Sequence, residues 1–94
     1  MNEQLLDEAR RLIVGFFVNR RKELGLTQQD VADKAGLSLR TVKGFELMQF
    51  WPGLKQYLSL CHALDLYFFV EEKEGNGRYA KTMRERWRRS NDSQ

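Results

Sequence analysis

From Leu5 onward the apolar residues fall at Leu5, Leu6, Ala9, Leu12, Ile13, Phe16 and Phe17. This roughly 3.6-residue period predicts an amphipathic helix running to about Leu24, closed by Gly25 in a left-handed cap with Lys22 in the last turn. Gly15 lies inside the pattern and costs about 1 kcal/mol relative to alanine in a helix. Thr27 is suited to start a second helix over Gln28–Ala35, with Asp30 in its first turn and Val31, Ala32 and Ala35 inward. Gly36 supplies a positive-φ turn, Leu37 plugs the core, and Ser38 caps a third helix reaching about Glu46. Val42 and Phe45 face inward there, whereas Leu39, Arg40, Thr41 and Lys43 face outward. After the loop "LMQFWPG", Pro52 fits the first turn of a fourth helix with a stripe of Leu54, Tyr57, Leu58, Cys61 and Leu64.

Beyond Asp65 the pattern changes. "LYFFVEE" is aromatic and β-branched, a strand by composition, and "EGNG" reads as its turn. Alternation then puts Leu66, Phe68 and Val70 on one face and Tyr67 and Phe69 on the other. The competing reading is that this segment prolongs the fourth helix. "RYAKTMRERWRRS" either forms a basic helix with Tyr79, Met83 and Trp87 on one side or stays loose.

Two short helices joined by a tight glycine turn around one small core make a helix-turn-helix. Ala32 is small where the helices cross, Gly36 takes a conformation costly for any residue with a Cβ, and Val42 closes the angle. The chain stops and restarts so that the second of these helices projects from the body. The expected architecture is mainly α: a small bundle of four to five helices with a helix-turn-helix, plus a C-terminal β-strand. The helix-turn-helix domain spans residues 1–66, with its motif at 27–46, and residues 67–94 form the strand and a basic extension.

Composition narrows the function. The chain has 94 residues, 41% hydrophobic and 31% charged, a globular balance for one small domain. No apolar run approaches the roughly 18–20 residues that span a bilayer, and the N-terminus shows no signal-peptide pattern, so a cytoplasmic location is expected. Cys61 reads as a small core residue, and one cysteine beside one histidine makes no metal site. No nucleophile–base pair, phosphate-cradling glycine loop or carboxylate dyad is present, so neither an enzyme nor a cofactor is expected. The net charge of +3 is uneven: residues 1–77 hold ten Lys/Arg against eleven Asp/Glu, and residues 78–94 hold six against two. A basic end on a neutral body suits a polyanion, although such ends are also often merely solvated.

"RRKELGLTQQDVADKAGLSLRTVKGFE" resembles the Cro/repressor-type (XRE) helix-turn-helix of lambdoid phage repressors, a likeness that extends from about Arg20 to Leu66 and takes in "LCHALDL". The resemblance implies double-stranded DNA as the partner and a bacterial or phage-derived, nucleoid-associated protein. It assigns base contacts to Ser38, Leu39, Arg40 and Lys43. Of these, Arg40 can pair bidentately with guanine for about 1–3 kcal/mol of discrimination, and Leu39 can pack on a thymine methyl. Phosphate contacts fall to Thr27, Gln28, Thr41 and Lys55, and Arg21 and Glu46 match the family's structural ion pair. On the other reading, Arg40 and Lys43 are solvated helix residues and Thr27 is a simple cap.

Further on, "ALDLYFFVEE" resembles antitoxin-repressors of the HipB type, which implies a toxin as a second partner. A lone strand needs a neighbour for its backbone groups, so Leu66, Tyr67, Phe68, Phe69 and Val70 are expected to pair with a second copy in a homodimer. The sequence departs from the family at Leu47–Trp51, where Phe50 and Trp51 serve either as core or as a partner surface. A protein-interaction module reusing the fold remains the rival from another class. The basic end either reaches flanking phosphates or docks on the body or on a protein partner.

Overall fold

A computed structural model describes residues 1–68 as four helices: α1 Glu3–Glu23, α2 Gln28–Ala35, α3 Leu39–Glu46 and α4 Leu54–Ala63. The chain is mainly α, and no strand occurs among the described residues. Phe69 and Val70, the "EGNG" turn and the basic segment lie outside the described residues.

Every helix starts from a recognisable N-terminal device. The side chains of Asn2, Thr27 and Ser38 accept from the amides of Leu5, Asp30 and Thr41. At α4 the N-cap is Gly53, whose amide donates to Gln56 Oε1 at 3.2 Å. Pro52 is buried and precedes this cap, so it lies outside the helix rather than in its first turn. The four C-termini share one solution, in which a left-handed residue lets two amides turn back onto helix carbonyls. In α1 the amides of Leu26 and Gly25 reach Arg21 O and Lys22 O; in α2 those of Leu37 and Gly36 reach Ala32 O and Asp33 O. The same pattern closes α3 through Gln49 and Met48 and α4 through Leu66 and Asp65. The left-handed residues are Gly25 and Gly36 in the first two, Met48 and Asp65 in the last two.

The core is an aromatic cluster at the crossing of α1, α3 and α4. Phe17 meets Phe45 and Tyr57 edge-on, at centroid distances of 5.5 and 5.4 Å, the arrangement that ring quadrupoles favour. Val14, Val31, Ala32, Val42, Leu60, Cys61, Ala63 and Leu64 fill the space around them. Trp51 packs against this cluster from the loop, beside Phe45 and Tyr57, and the Arg10 guanidinium lies 5.6 Å from its ring.

Two expectations about burial are corrected. Leu5, Leu6, Leu12 and Phe16 of the α1 stripe are exposed, and only Val14 and Phe17 of that helix are buried. At 1.5 Å per residue α1 is about 31 Å long, whereas α2 to α4 are about 12–15 Å and cannot cover its length. On α4 the buried face is Tyr57, Leu60, Cys61 and Ala63, continued by Leu64, while Leu54 and Leu58 are exposed. The apolar arc of this helix is wider than one neighbour can cover, so its neighbours decide which part of it is buried.

The segment after α4 is neither strand nor helix as far as it is described. Asp65, at φ +58°, ends the helix, which removes the prolonged-helix reading for residues 66–68. Leu66 then turns onto the core of its own chain. No helix among the described residues is long and apolar enough to cross a membrane.

Candidate nucleic-acid interface

α3 and the cap at its N-terminus supply the outward surface. At about 100° per residue, Leu39, Lys43 and Arg40 follow one another around the helix within roughly 100°, opposite Val42 and Phe45. Val42 and Phe45 are buried, Arg40 and Lys43 are exposed, and Leu39 is half-buried. Ser38 is exposed, and its hydroxyl accepts from the Thr41 amide at 3.0 Å while lying 2.8 Å from the Thr41 hydroxyl. The first turn of α3 therefore presents a fixed pair of hydroxyls flanked by one guanidinium, one ammonium and one branched apolar side chain.

The far end of α3 is clamped to α1 and α2. Arg21 donates through Nε to Glu46 Oε2 at 2.8 Å and through Nη2 to Glu46 Oε1 at 3.0 Å. A third guanidinium nitrogen, Nη1, donates to Leu26 O at 3.0 Å. The Gln28 side-chain amide also donates to Glu46 Oε1, at 3.0 Å. One carboxylate thus receives three bonds from two helices, and this planar, bidentate arrangement sets the angle at which α3 leaves the body. Gln28, assigned to phosphate from the sequence, here has its amide committed to Glu46.

The N-terminus of α2 is electrostatically mixed. The Thr27 amide donates to Asp30 Oδ2 at 2.9 Å, and Thr27 Oγ1 accepts from the Asp30 amide at 3.0 Å. These backbone and hydroxyl bonds from Thr27 hold the Asp30 carboxyl below the usual carboxylate range. The carboxylate takes up part of the helix's positive end, and the amides of Gln28 and Gln29 keep no acceptor within the helix. Lys55 is exposed in the first turn of α4, separated in sequence from α3 by the Leu47–Gly53 loop.

Sequence reasoning missed the flank of α3. A Cβ at Gly44 would lie 3.0 Å from Phe50 Cδ1, so the ring rests directly on the helix backbone. Phe50 remains 36% exposed and, with Gln49, Arg40 and Thr41, lines a groove alongside α3. The glycine at position 44 was the available signal, because glycine in a helix interior often marks a close approach. Of the two loop aromatics, Trp51 is a core residue and Phe50 is a surface ring beside α3. A second tie absent from the sequence reading is Arg20, whose Nε donates to Leu64 O at 3.0 Å and secures the end of α4.

Around Leu66 the expected dimer residues divide. Leu66 is partly buried on its own core, Tyr67 and Phe68 are exposed, and Phe69 and Val70 lie outside the described residues. Among the described residues no group of three or more His, Cys, Asp or Glu is placed to hold a metal ion.

No curated protein and no solved structure matches the chain. A family model described as helix-turn-helix matches residues 19–69, just over half of the sequence. The matched residues contain the α2–Gly36–α3 unit, its clamp and α4. The chain belongs to the XRE-type helix-turn-helix family of sequence-specific DNA-binding transcription regulators.

Proposed function

We propose that the protein is a dimeric repressor that occupies a pseudo-palindromic operator, with α3 as the recognition helix in the major groove. The observation that carries this reading is the outward arc of Leu39, Arg40 and Lys43 on a helix whose far end is clamped by Arg21 and Gln28 through Glu46. A rigid exit angle serves base reading, because bidentate contacts tolerate little misplacement. Arg40 pairs with a guanine edge, Lys43 reaches a neighbouring acceptor, Leu39 covers a thymine methyl, and Ser38 supplies a hydroxyl. Thr27, the backbone N–H of Gln28, Thr41 and Lys55 hold phosphates and set the register. Two copies joined through the chain after Leu66 would place their recognition helices about 34–36 Å apart, one turn of the duplex.

Selection from a random duplex pool, followed by titration of the winner at several salt concentrations, tests the reading. A palindromic winner bound far more tightly than random DNA supports it. Weak binding without enrichment, lost at moderate salt, counts against it and favours a protein-interaction module. The antitoxin form of the proposal rests on the resemblance of "ALDLYFFVEE". A toxin encoded beside this gene, and relieved by this chain, would support that form; a solitary gene would count against it.

A further inference from the structure

Phe50 belongs to the loop after α3, yet its ring stands where a side chain of α3 would stand. Gly44 follows Arg40 by four residues, so the two lie about 40° apart on one side of the helix. A side chain at position 44 would carry the outward arc past Arg40. The residue there is a glycine, and it is buried, although it lies about 100° or more around the axis from Val42 and Phe45. An added Cβ would come within 3.0 Å of Phe50 Cδ1 and 3.4 Å of Phe50 Cε1, so the cover over this backbone is the Phe50 ring. The ring is itself 36% exposed. With Arg40, Thr41 and Gln49 it walls a groove of about 350 Å³ along α3.

The loop holds Phe50 from both sides. The Gln49 backbone amide donates to Gly44 O at 2.8 Å, and Trp51 packs against Phe45 and Tyr57. The residue between these two anchors presents its ring without an ordering cost on binding. Glycine at position 44 weakens the helix interior, and an aliphatic side chain there would shield the backbone unaided. A ring brought in from the loop adds a broad apolar face next to the guanidinium of Arg40.

We infer that Phe50 is a base-reading residue whose ring packs on the 5-methyl of a thymine, in the base pair next to the guanine paired with Arg40. The inference rests on α3 being the recognition helix and adds a specificity residue from outside it. A phenyl ring offers no hydrogen bond to a phosphate or to a polar base edge. The apolar group that the major groove displays is the thymine methyl, and that is the contact this ring recognises. Leu39 lies on the other side of Arg40, about 100° away around the helix, so Leu39 and Phe50 read different base pairs.

The test starts from the duplex that site selection yields and replaces each thymine of one half-site by deoxyuridine in turn, which removes only the methyl. Each duplex is titrated against wild type, Phe50→Ala, Phe50→Leu and Leu39→Ala in the full chain. The thymine-to-deoxyuridine affinity ratio is taken within one protein, so a change in stability or active fraction cancels. For wild type, one position beside the Arg40-dependent guanine should lose about fourfold on demethylation. Phe50→Ala should bind the thymine duplex more weakly and show a ratio near one at that position alone. Phe50→Leu should keep part of the ratio, and Leu39→Ala should lose its ratio at a different position. A ratio in Phe50→Ala equal to wild type at every thymine, or equal weakening by Phe50→Ala on selected and random duplexes, would overturn the inference. Arg40→Ala separates the two levels. If Arg40→Ala relaxes preference while Phe50→Ala leaves every methyl ratio intact, only the role of Phe50 falls; if Arg40→Ala leaves preference intact, the recognition role of α3 falls with it.

Discussion

Arg21 and Glu46 stand 25 residues apart in the chain, yet their side chains meet through two bonds of 2.8 and 3.0 Å, with only 14% and 11% of each side chain exposed. The pair joins α1, which supplies Phe17 to the aromatic core, to the end of the helix that faces outward. Removing one partner of a buried pair strands the other, at about 3–5 kcal/mol. The residual exposure here and the Gln28 bond place Glu46→Ala at the low end, about 3 kcal/mol. Urea unfolding measures this directly. A loss under about 0.5 kcal/mol would show a pair no better than a surface contact.

Arg40 and Lys55 should fail differently on DNA. Arg40→Ala is expected to relax preference at one base pair of each half-site, by about 1–3 kcal/mol. Lys55→Ala should weaken binding evenly across sequences and reduce the salt slope by about one. Site selection repeated with each variant separates the two. An Arg40→Ala protein that chose the same site with undiminished preference would remove Arg40 from base reading.

The helix ends offer a mirror-image pair of substitutions. Met48 holds φ at +59°, which costs a side-chain-bearing residue about 1–2 kcal/mol. Met48→Gly should therefore raise stability, by about 0.5–1 kcal/mol after the greater chain entropy of unfolded glycine is subtracted. Gly36 sits at φ +68° with nothing within 4 Å of an added Cβ, so Gly36→Ala should lower stability by about 1 kcal/mol through backbone conformation alone. Stabilisation by both changes, or by neither, would contradict this account of the shared C-terminal turns.

Burial pushes the Tyr57 hydroxyl up to about 12, with a smaller contribution from Cys61. The folded state therefore keeps this proton where the unfolded chain, titrating near 10, has released it. The corresponding stability is complete below pH 10 and is lost as pH rises from about 10 to 12, at no more than about 1.4 kcal/mol per pH unit. Tyrosine absorbance in an alkaline titration should show a late phenol that Tyr57→Phe lacks. Wild-type stability should fall more steeply than that of Tyr57→Phe across this range.

Features that depend only on near neighbours in the chain can be read along it. Thr27 and Ser38 are legible as caps, and Gly25 and Gly36 as left-handed turns, because each acts through backbone groups a few residues away. The family resemblance, carried by residues at short fixed spacings, likewise pointed to the outward arc of α3. Met48 and Asp65 take the same left-handed conformation without a glycine to announce it. There the turn is imposed by the packing of residues just beyond it: Phe50 lies against Gly44, and Leu66 packs on the core.

By itself, the sequence determined a mainly α, helix-turn-helix chain and the residues from which its outward surface is drawn. Only the tertiary structure decided which apolar residues are covered. The stripe of α1 is continuous in sequence, but its neighbours cover only the side and the stretch that carry Val14 and Phe17, so Leu12 and Phe16 stay exposed. On α4, whose apolar arc is wide, the neighbours chose Leu60 over Leu58. The bond from Arg20 to Leu64 O spans 44 residues. Burial and long-range contact are properties of how the elements meet, and a local pattern specifies only which faces are able to meet.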